Sequence, residues 1–280
     1  LDTEAWREWQ AVEKPALAGR WVVAGHMAGQ GDLHGVMTVE GGDGDLYSVS
    51  FEGEFANGDK LAGTGKSVVY TGYDWRAQLT LGDTTMRQVL ASDGAGNVMT
   101  GRMYLREQEL QGMHLTAARV GGPAQIVAVA PSHIRQGGTQ RLVISGVGLS
   151  GKVTLPKGLE VTAEESRTEE RIVLAVTAAA DASLGRGDVT VGSTELPQAL
   201  AVYDAVDQLA VEPAYAVARV GDNGGGTPRV NAAFRAVGID FGADGEAGTD
   251  DDIRLGYFDA VIWQVKPWDA TAELMQDVRF

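Results

Sequence analysis

A mainly β fold, an antiparallel barrel followed by two smaller sandwiches, is predicted by three features of the sequence. Glycine is abundant, 38 in 280 residues, while proline numbers only 8; that balance suits a chain that turns often between short strands. Apolar and polar residues alternate with period two, as Tyr47, Val49 and Phe51 do against Ser48, Ser50 and Glu52, which is the signature of a half-buried strand. Helical periodicity is confined to the two ends.

Residues 1–18 read as a helical linker or the tail of a preceding domain. Thr3 can cap a helix over residues 3–13, with Trp6, Trp9 and Val12 at helical spacing and Pro15 and Gly19 as stops. The chain starts without Met and with a polar, acidic segment unlike a signal peptide, so it reads as a processed product or a piece of something longer. Residues 19–120 read as an antiparallel, barrel-like meander with strands at 19–24, 35–40, 46–55, 66–73, 75–81, 86–91 and 97–106. Turns such as Gly41-Gly-Asp-Gly-Asp45, Asn57-Gly-Asp59 and Ser92-Asp-Gly-Ala-Gly-Asn97 supply the positive φ of tight hairpins. Trp21, Tyr47, Phe51, Tyr70, Tyr73 and Trp75 fall on alternate strand positions and are assigned to the barrel core.

Gly121-Gly-Pro123 opens a second unit, 121–204. Its short, evenly spaced strands (126–129, 141–145, 152–155, 159–163, 171–177, 188–191 and 198–202) are the pattern of an immunoglobulin-like sandwich. A third unit, 205–280, has strands at 209–211, 215–220, 231–239, 253–257 and 261–265, a Gly-rich turn at 221–228 and a short helical turn at 268–277. Five strands fall short of the roughly seven of such a sandwich, so this unit reads as an incomplete immunoglobulin-like domain.

The net charge of −15 argues against nucleic acid, which needs clustered cations to displace counterions, and against anionic membranes. No apolar run is long enough for a membrane span. Cysteine is absent, which removes disulfides, thiolate nucleophiles, Cys-type zinc sites and haem attachment through Cys-x-x-Cys-His.

Gly146-Val-Gly-Leu-Ser-Gly151 matches the dinucleotide fingerprint, but strand and turn follow instead of the required helix. Gly63-Thr-Gly-Lys-Ser67 lacks the leading glycine of a phosphate loop and runs into a strand. His26, His34, His114 and His133 show no helical metal-binding spacing; a metal held by two of them across a sheet is the sharper reading, and turn histidines the plainer one. No Gly-x-Ser-x-Gly elbow or nucleophile–base pair is visible. The most specific chemistry is an acidic loop, residues 240–252, with five Asp and one Glu in thirteen residues. Asp240, Asp244, Glu246, Asp250, Asp251 and Asp252 are hard oxygen ligands suited to calcium. Positions three and twelve depart from an EF-hand, so the expectation is a calcium-binding β turn, against a solvated acidic hairpin.

Three stretches together resemble one family. They are Ala18-Gly-Arg-Trp-Val-Val-Ala-Gly-His-Met-Ala-Gly-Gln-Gly-Asp-Leu-His-Gly-Val-Met-Thr-Val39; Val129-Ala-Pro-Ser-His-Ile-Arg-Gln-Gly137 with Ser145-Gly-Val-Gly-Leu-Ser-Gly151; and Val211-Glu-Pro-Ala-Tyr-Ala-Val-Ala-Arg-Val-Gly221 with Gly242-Ala-Asp-Gly-Glu-Ala-Gly-Thr-Asp-Asp-Asp-Ile-Arg-Leu-Gly256. In this order they are similar to the second, third and fourth domains of the alpha subunit of quinohemoprotein amine dehydrogenase. The resemblance implies a barrel-like domain and two immunoglobulin-like ones, preceded in the family by a dihaem cytochrome c domain. It implies a periplasmic complex with a propeller-type beta subunit and a small gamma subunit bearing cysteine tryptophylquinone, which oxidises primary amines and passes electrons to haem c. No haem ligand or quinone residue of the family maps onto this chain, so its expected role is a non-catalytic scaffold, without a cofactor of its own beyond calcium in the acidic loop. The alternative is a free-standing binding or adhesion module of tandem β domains; a hydrolase with a site between domains is the third reading.

Overall fold

The computed structural model describes residues 4, 16–41, 46–69, 74–106, 108–219, 221, 226 and 229–263. All nineteen elements among them are strands. The helices expected at 3–13 and 268–277 lie outside the described residues, Glu4 aside, as do Tyr70 and Tyr73.

Eight strands close a barrel in simple meander order: β1 (Gly19–Met27), β2 (Gly31–Gly41), β3 (Leu46–Phe55), β4 (Lys60–Val69), β5 (Asp74–Leu81), β6 (Thr84–Ser92), β7 (Val98–Leu105) and β8 (Gln108–Arg119). Closure comes from β1 pairing antiparallel with β8, Trp21 opposite Arg119 and Gly25 opposite Leu115. Alternation sends Leu33, Met37 and Val39 of β2 inward, while Asp32, His34 and Thr38 face out. Eight strands leave an interior just wide enough for side chains. Trp21, Phe51, Trp75, Met37, Met99, Met103 and Met113 fill it, each large side chain contributing about 2 kcal/mol on burial. Tyr47 packs against this core part-buried. Among the described residues the interior buries one side-chain amide, Gln88, which accepts the Trp75 indole N–H at 3.3 Å.

Strand β4 begins at Lys60, earlier than the sequence predicts. Gly63 and Gly65, which precede the strand expected at 66–73, are strand residues, and a Cβ at Gly65 would collide with the Gln78 carbonyl of β5. The curved wall takes glycine where neighbouring backbones close in. The last barrel strand, β8, also goes unresolved in the sequence reading, since Gly112 and polar residues interrupt its alternation.

The next unit is a sandwich of two four-stranded sheets. One has the order β10 (His133–Arg135), β16 (Thr194–Tyr203), β15 (Gly185–Val191), β12 (Val153–Thr154); the other has β13 (Leu159–Arg167), β14 (Arg171–Ala178), β11 (Thr139–Val147), β9 (Gln125–Ala130). Leu142, Ile144, Leu174, Val189, Leu200 and Val202 form the core between them. The short β10, parallel to β16, is too brief to show a period. Edge strand β13 is nearly all exposed and breaks register twice; charge and bulges keep such an edge from pairing with other chains.

The third unit contributes a three-stranded antiparallel sheet, β17 (Gln208–Glu212), β18 (Arg235–Asp240) and β19 (Ile253–Phe258). The strand expected at 215–220 is reduced, among the described residues, to a single bridge from Arg219 to Val230. Tyr215 and Val217 stay exposed there, with no strand beside them among the described residues. The strand expected from Asn231 starts only at Arg235.

Candidate functional site at the junction of three units

The β1–β2 hairpin builds the site. Its register sets His26 opposite Asp32 and Ala24 opposite His34, all pointing outward. Val22, on the same face, is completely buried with Ala118 and Val147, because the sandwich covers this wall of the barrel. β1 is therefore apolar on both faces where the units meet.

His26 Nδ1 lies 2.9 Å from Asp32 Oδ1, and its Nε2 lies 3.4 Å from Asp259 Oδ1 at the end of β19. The second contact is an ion-pair distance without hydrogen-bond alignment. Asp259 also accepts the Gly29 amide at 2.8 Å, and the imidazole stacks on Tyr257 with centroids 4.7 Å apart. Burial alone lowers the His26 pKa, but the Asp259 and Asp32 carboxylates overcome it and raise the value to about 9. At neutral pH His26 is a cation clamped between the barrel and the third unit.

His34, two residues beyond Asp32, behaves oppositely. Its Nδ1 shares a 2.8 Å hydrogen bond with Ser145 Oγ of the sandwich. Burial and the nearby Arg171 cation push its pKa down to about 4, so it is neutral. Arg20 and Glu170 form an ion pair across the same seam.

The sandwich meets the third unit through His133, stacked on Phe258 at 4.7 Å with Nδ1 3.2 Å from the Leu255 carbonyl, which it faces as donor; burial first of all lowers its pKa. Ser132 donates to the same carbonyl at 3.2 Å, and Arg186 to the Arg254 carbonyl at 2.7 Å. Farther round, Gln108 of β8 donates to the Arg229 carbonyl and accepts the Asn231 amide, at 2.8 and 2.9 Å. The contacts around His26, His34 and His133, without those of Gln108, border a cleft of about 800 Å³ lined by all three units.

The acidic loop lies apart from the cleft. Asp240, 2% exposed, ends β18 and accepts the amides of Asp204 and Ala205 at 2.9 and 3.3 Å, with that of Gly242 at 2.8 Å. Asp251 accepts the amides of Ala243 and Asp244 and the Thr249 hydroxyl, which holds its carboxyl below the usual range, the hydroxyl foremost. Asp244 accepts the Glu246 amide and Asp252 the Gly248 amide, both at 2.8 Å; Glu246 and Asp250 are exposed. Among the described residues no set of three or more His, Cys, Asp or Glu is arranged to hold a metal ion, so the calcium expectation rests on the loop's oxygen-rich sequence alone.

Sequence reasoning treated the histidines as turn residues and missed three of the four as junction residues. The available signal was the Ala28-Gly-Gln30 turn, which sets His26 across from Asp32. His114 stays on β8, with burial followed by the Arg102 and Arg235 charges lowering its pKa. Of the glycines at 146–151, Gly146 belongs to β11, while Gly148 at φ 62° and Gly151 at φ 93° lie in the turn to β12, and no helix follows.

Comparison with known proteins follows the same three units. Models of the quinohemoprotein amine dehydrogenase alpha subunit match in succession: domain II over residues 14–120, domain III over 123–204 and domain IV over 209–280. Among solved structures, the chain is similar to the redesigned β-barrel mFAP0 bound to DFHBI, with 18% identity and a TM-score of 0.32 over 37% of this chain and 98% of that one. A second is the redesigned barrel mFAP1 bound to DFHBI, with 20% identity and a TM-score of 0.32 over 37% of this chain and 94% of that one. Among curated proteins no match is found. With three successive domains matched in order, the chain belongs to the family of quinohemoprotein amine dehydrogenase alpha subunits.

Proposed function

We propose that this chain is the non-catalytic scaffold portion of the alpha subunit of a periplasmic amine dehydrogenase. In this reading a propeller-type beta subunit and a small gamma subunit dock on it. Oxidation of primary amines takes place on the gamma subunit's cysteine tryptophylquinone, and electrons pass to haem c elsewhere in the complex. The chain has no cysteine, so neither thioether-bound haem nor a cysteine–tryptophan quinone fits its residues, and no redox step runs through them.

The observation that carries the reading is where apolar surface remains. Of the eleven large apolar side chains exposed among the described residues, eight lie between Val206 and Trp263, including Leu209, Val211, Tyr215 at 80% and Ile262 at 94%. Exposed apolar side chains concentrated in one unit support reading that unit as the place where a protein partner docks, and junction hydrogen bonds and ion pairs tie it to the barrel. A scaffold needs both a docking face and a rigid base.

The test is recovery of the native complex through a tag on this chain, with a visible spectrum and subunit masses. Haem bands together with a small cross-linked quinone subunit are expected. Their yield should fall at least about ten-fold in a Leu209→Asp, Tyr215→Asp double variant, as loss of an apolar anchor predicts. A colourless chain recovered alone would sink the reading.

A further inference from the structure

We propose that the cleft at the three-unit junction binds an organic anion: a carboxylate on an apolar body about two aromatic rings long, its charge held by the Arg171 guanidinium. This inference is independent of the scaffold role and concerns a site inside the chain itself.

Arg171 is the first observation. It opens β14, pairs in register with Ser145 and lines the cleft. Its Nε is buried without a partner, and its guanidinium makes no hydrogen bond or ion pair among the described residues. A half-buried cation left unpaired is costly, and a bound anion removes that cost.

The charge balance is the second. Arg141 and Arg254 are neutralised by Glu165 and Glu212, and His26 cancels one of the two carboxylate charges that flank it, Asp32 and Asp259. Among the described residues Arg186 donates to the carbonyls of Gln198 and Arg254, which leave its charge uncancelled. Arg171 and Arg186 thus stand against two carboxylate charges, that of Glu54 and the one that His26 leaves over. Counted with these partners the cleft is close to neutral, so what sets Arg171 apart is the lack of a partner of its own and not a net positive field.

Shape supplies the body of the ligand. Arg171 sits beside His34, and Tyr257 stacks on His26, which is paired with Asp32. Asp32 and His34 are two residues apart on one strand face, so the apolar end lies roughly 7 Å or more from the charged end. The remaining walls include Phe55, Val129, Val143 and Pro131. A volume of about 800 Å³ falls within the usual range for small-molecule sites. The neutral His34 and the Ser145 hydroxyl beside Arg171 offer a carboxylate a second polar partner.

The test is calorimetric titration of the full chain at pH 7.5 with naphthalene-2-carboxylate, its uncharged carboxamide and inorganic phosphate. The carboxylate is expected to bind at least about ten-fold more tightly than the carboxamide, the scale of one charge-assisted hydrogen bond, and more tightly than phosphate. Arg171→Gln should lose at least about ten-fold in affinity with unchanged circular dichroism. Should that variant misfold, Arg171→Lys, which keeps the charge and loses the planar fork, should bind several-fold more weakly than the native chain. Absence of carboxylate binding, equal affinity for acid and amide, or unchanged affinity in the foldable variant overturns the site. Phosphate binding as tight as naphthoate overturns the apolar body.

Discussion

His26 offers a sharp test, because its charge state is tied to one contact between units. Free histidine titrates near 6.5, and the two carboxylates hold His26 at about 9. The folded chain therefore binds the proton more tightly than the unfolded one, and stability must fall as pH rises between these values. Below pH 6.5 both states carry the proton and the contribution is complete, about 3 kcal/mol from the 2.5-unit difference. At pH 7.5 about 2 kcal/mol remains, and above pH 9 almost nothing. Lysines and tyrosines also titrate at high pH, so the useful quantity is the gap between native chain and His26→Gln, in which common terms cancel. Urea unfolding followed by Tyr fluorescence near the junction should show that gap shrinking by about 3 kcal/mol between pH 6 and 9.5. A constant offset from the lost stacking on Tyr257 remains at both ends. A gap that does not change with pH, or an NMR titration that places His26 near 6.5, refutes the clamp.

Further outcomes concern other parts of the frame. Asp240→Ala leaves three part-buried amides without their acceptor and should cost about 1–2 kcal/mol, read as a lower unfolding midpoint with the barrel's own transition unchanged. Gly65→Ala pushes a methyl into the Gln78 carbonyl and should destabilise the barrel by about 1–3 kcal/mol, measured by thermal unfolding of its Trp signal. Glu170→Gln breaks the seam ion pair with Arg20, whose side chain is 47% exposed; the cost should stay under about 1 kcal/mol and vanish in molar salt.

The barrel was the most legible part of the fold. Its inward residues, Val49 and Phe51 among them, alternate strictly with polar ones, and period two is a local signal. The strands that escaped notice lack that signal for physical reasons. β10 is three residues long, and β4 carries glycines that the curved wall requires. The site was far less legible. His26 and Asp259 are separated by most of the chain, and nothing near Asp259 announces that it will meet an imidazole. Arg171 looks like any charged residue at the start of a strand until Ser145 and His34 are brought beside it. Local pattern specifies which face of a strand is buried; the partner that buries it is decided by how whole units dock.

The two junction histidines together set a direction for that docking. His26 adds stability that is full below pH 6.5 and fades as pH approaches 9. His34, held at about 4, resists the proton that the unfolded chain accepts near 6.5, so stability falls as pH drops from 6.5 toward 4, by up to about 3 kcal/mol. The sum is a maximum close to pH 6.5, with opposite residues responsible for the two flanks. Removing each should flatten only its own side: His26→Gln the alkaline flank, His34→Gln the acid one. Unfolding midpoints of the two variants across pH 4 to 10 separate these contributions, and a loss of both flanks in either variant would mean that the histidines act as one coupled unit, not as two independent contacts.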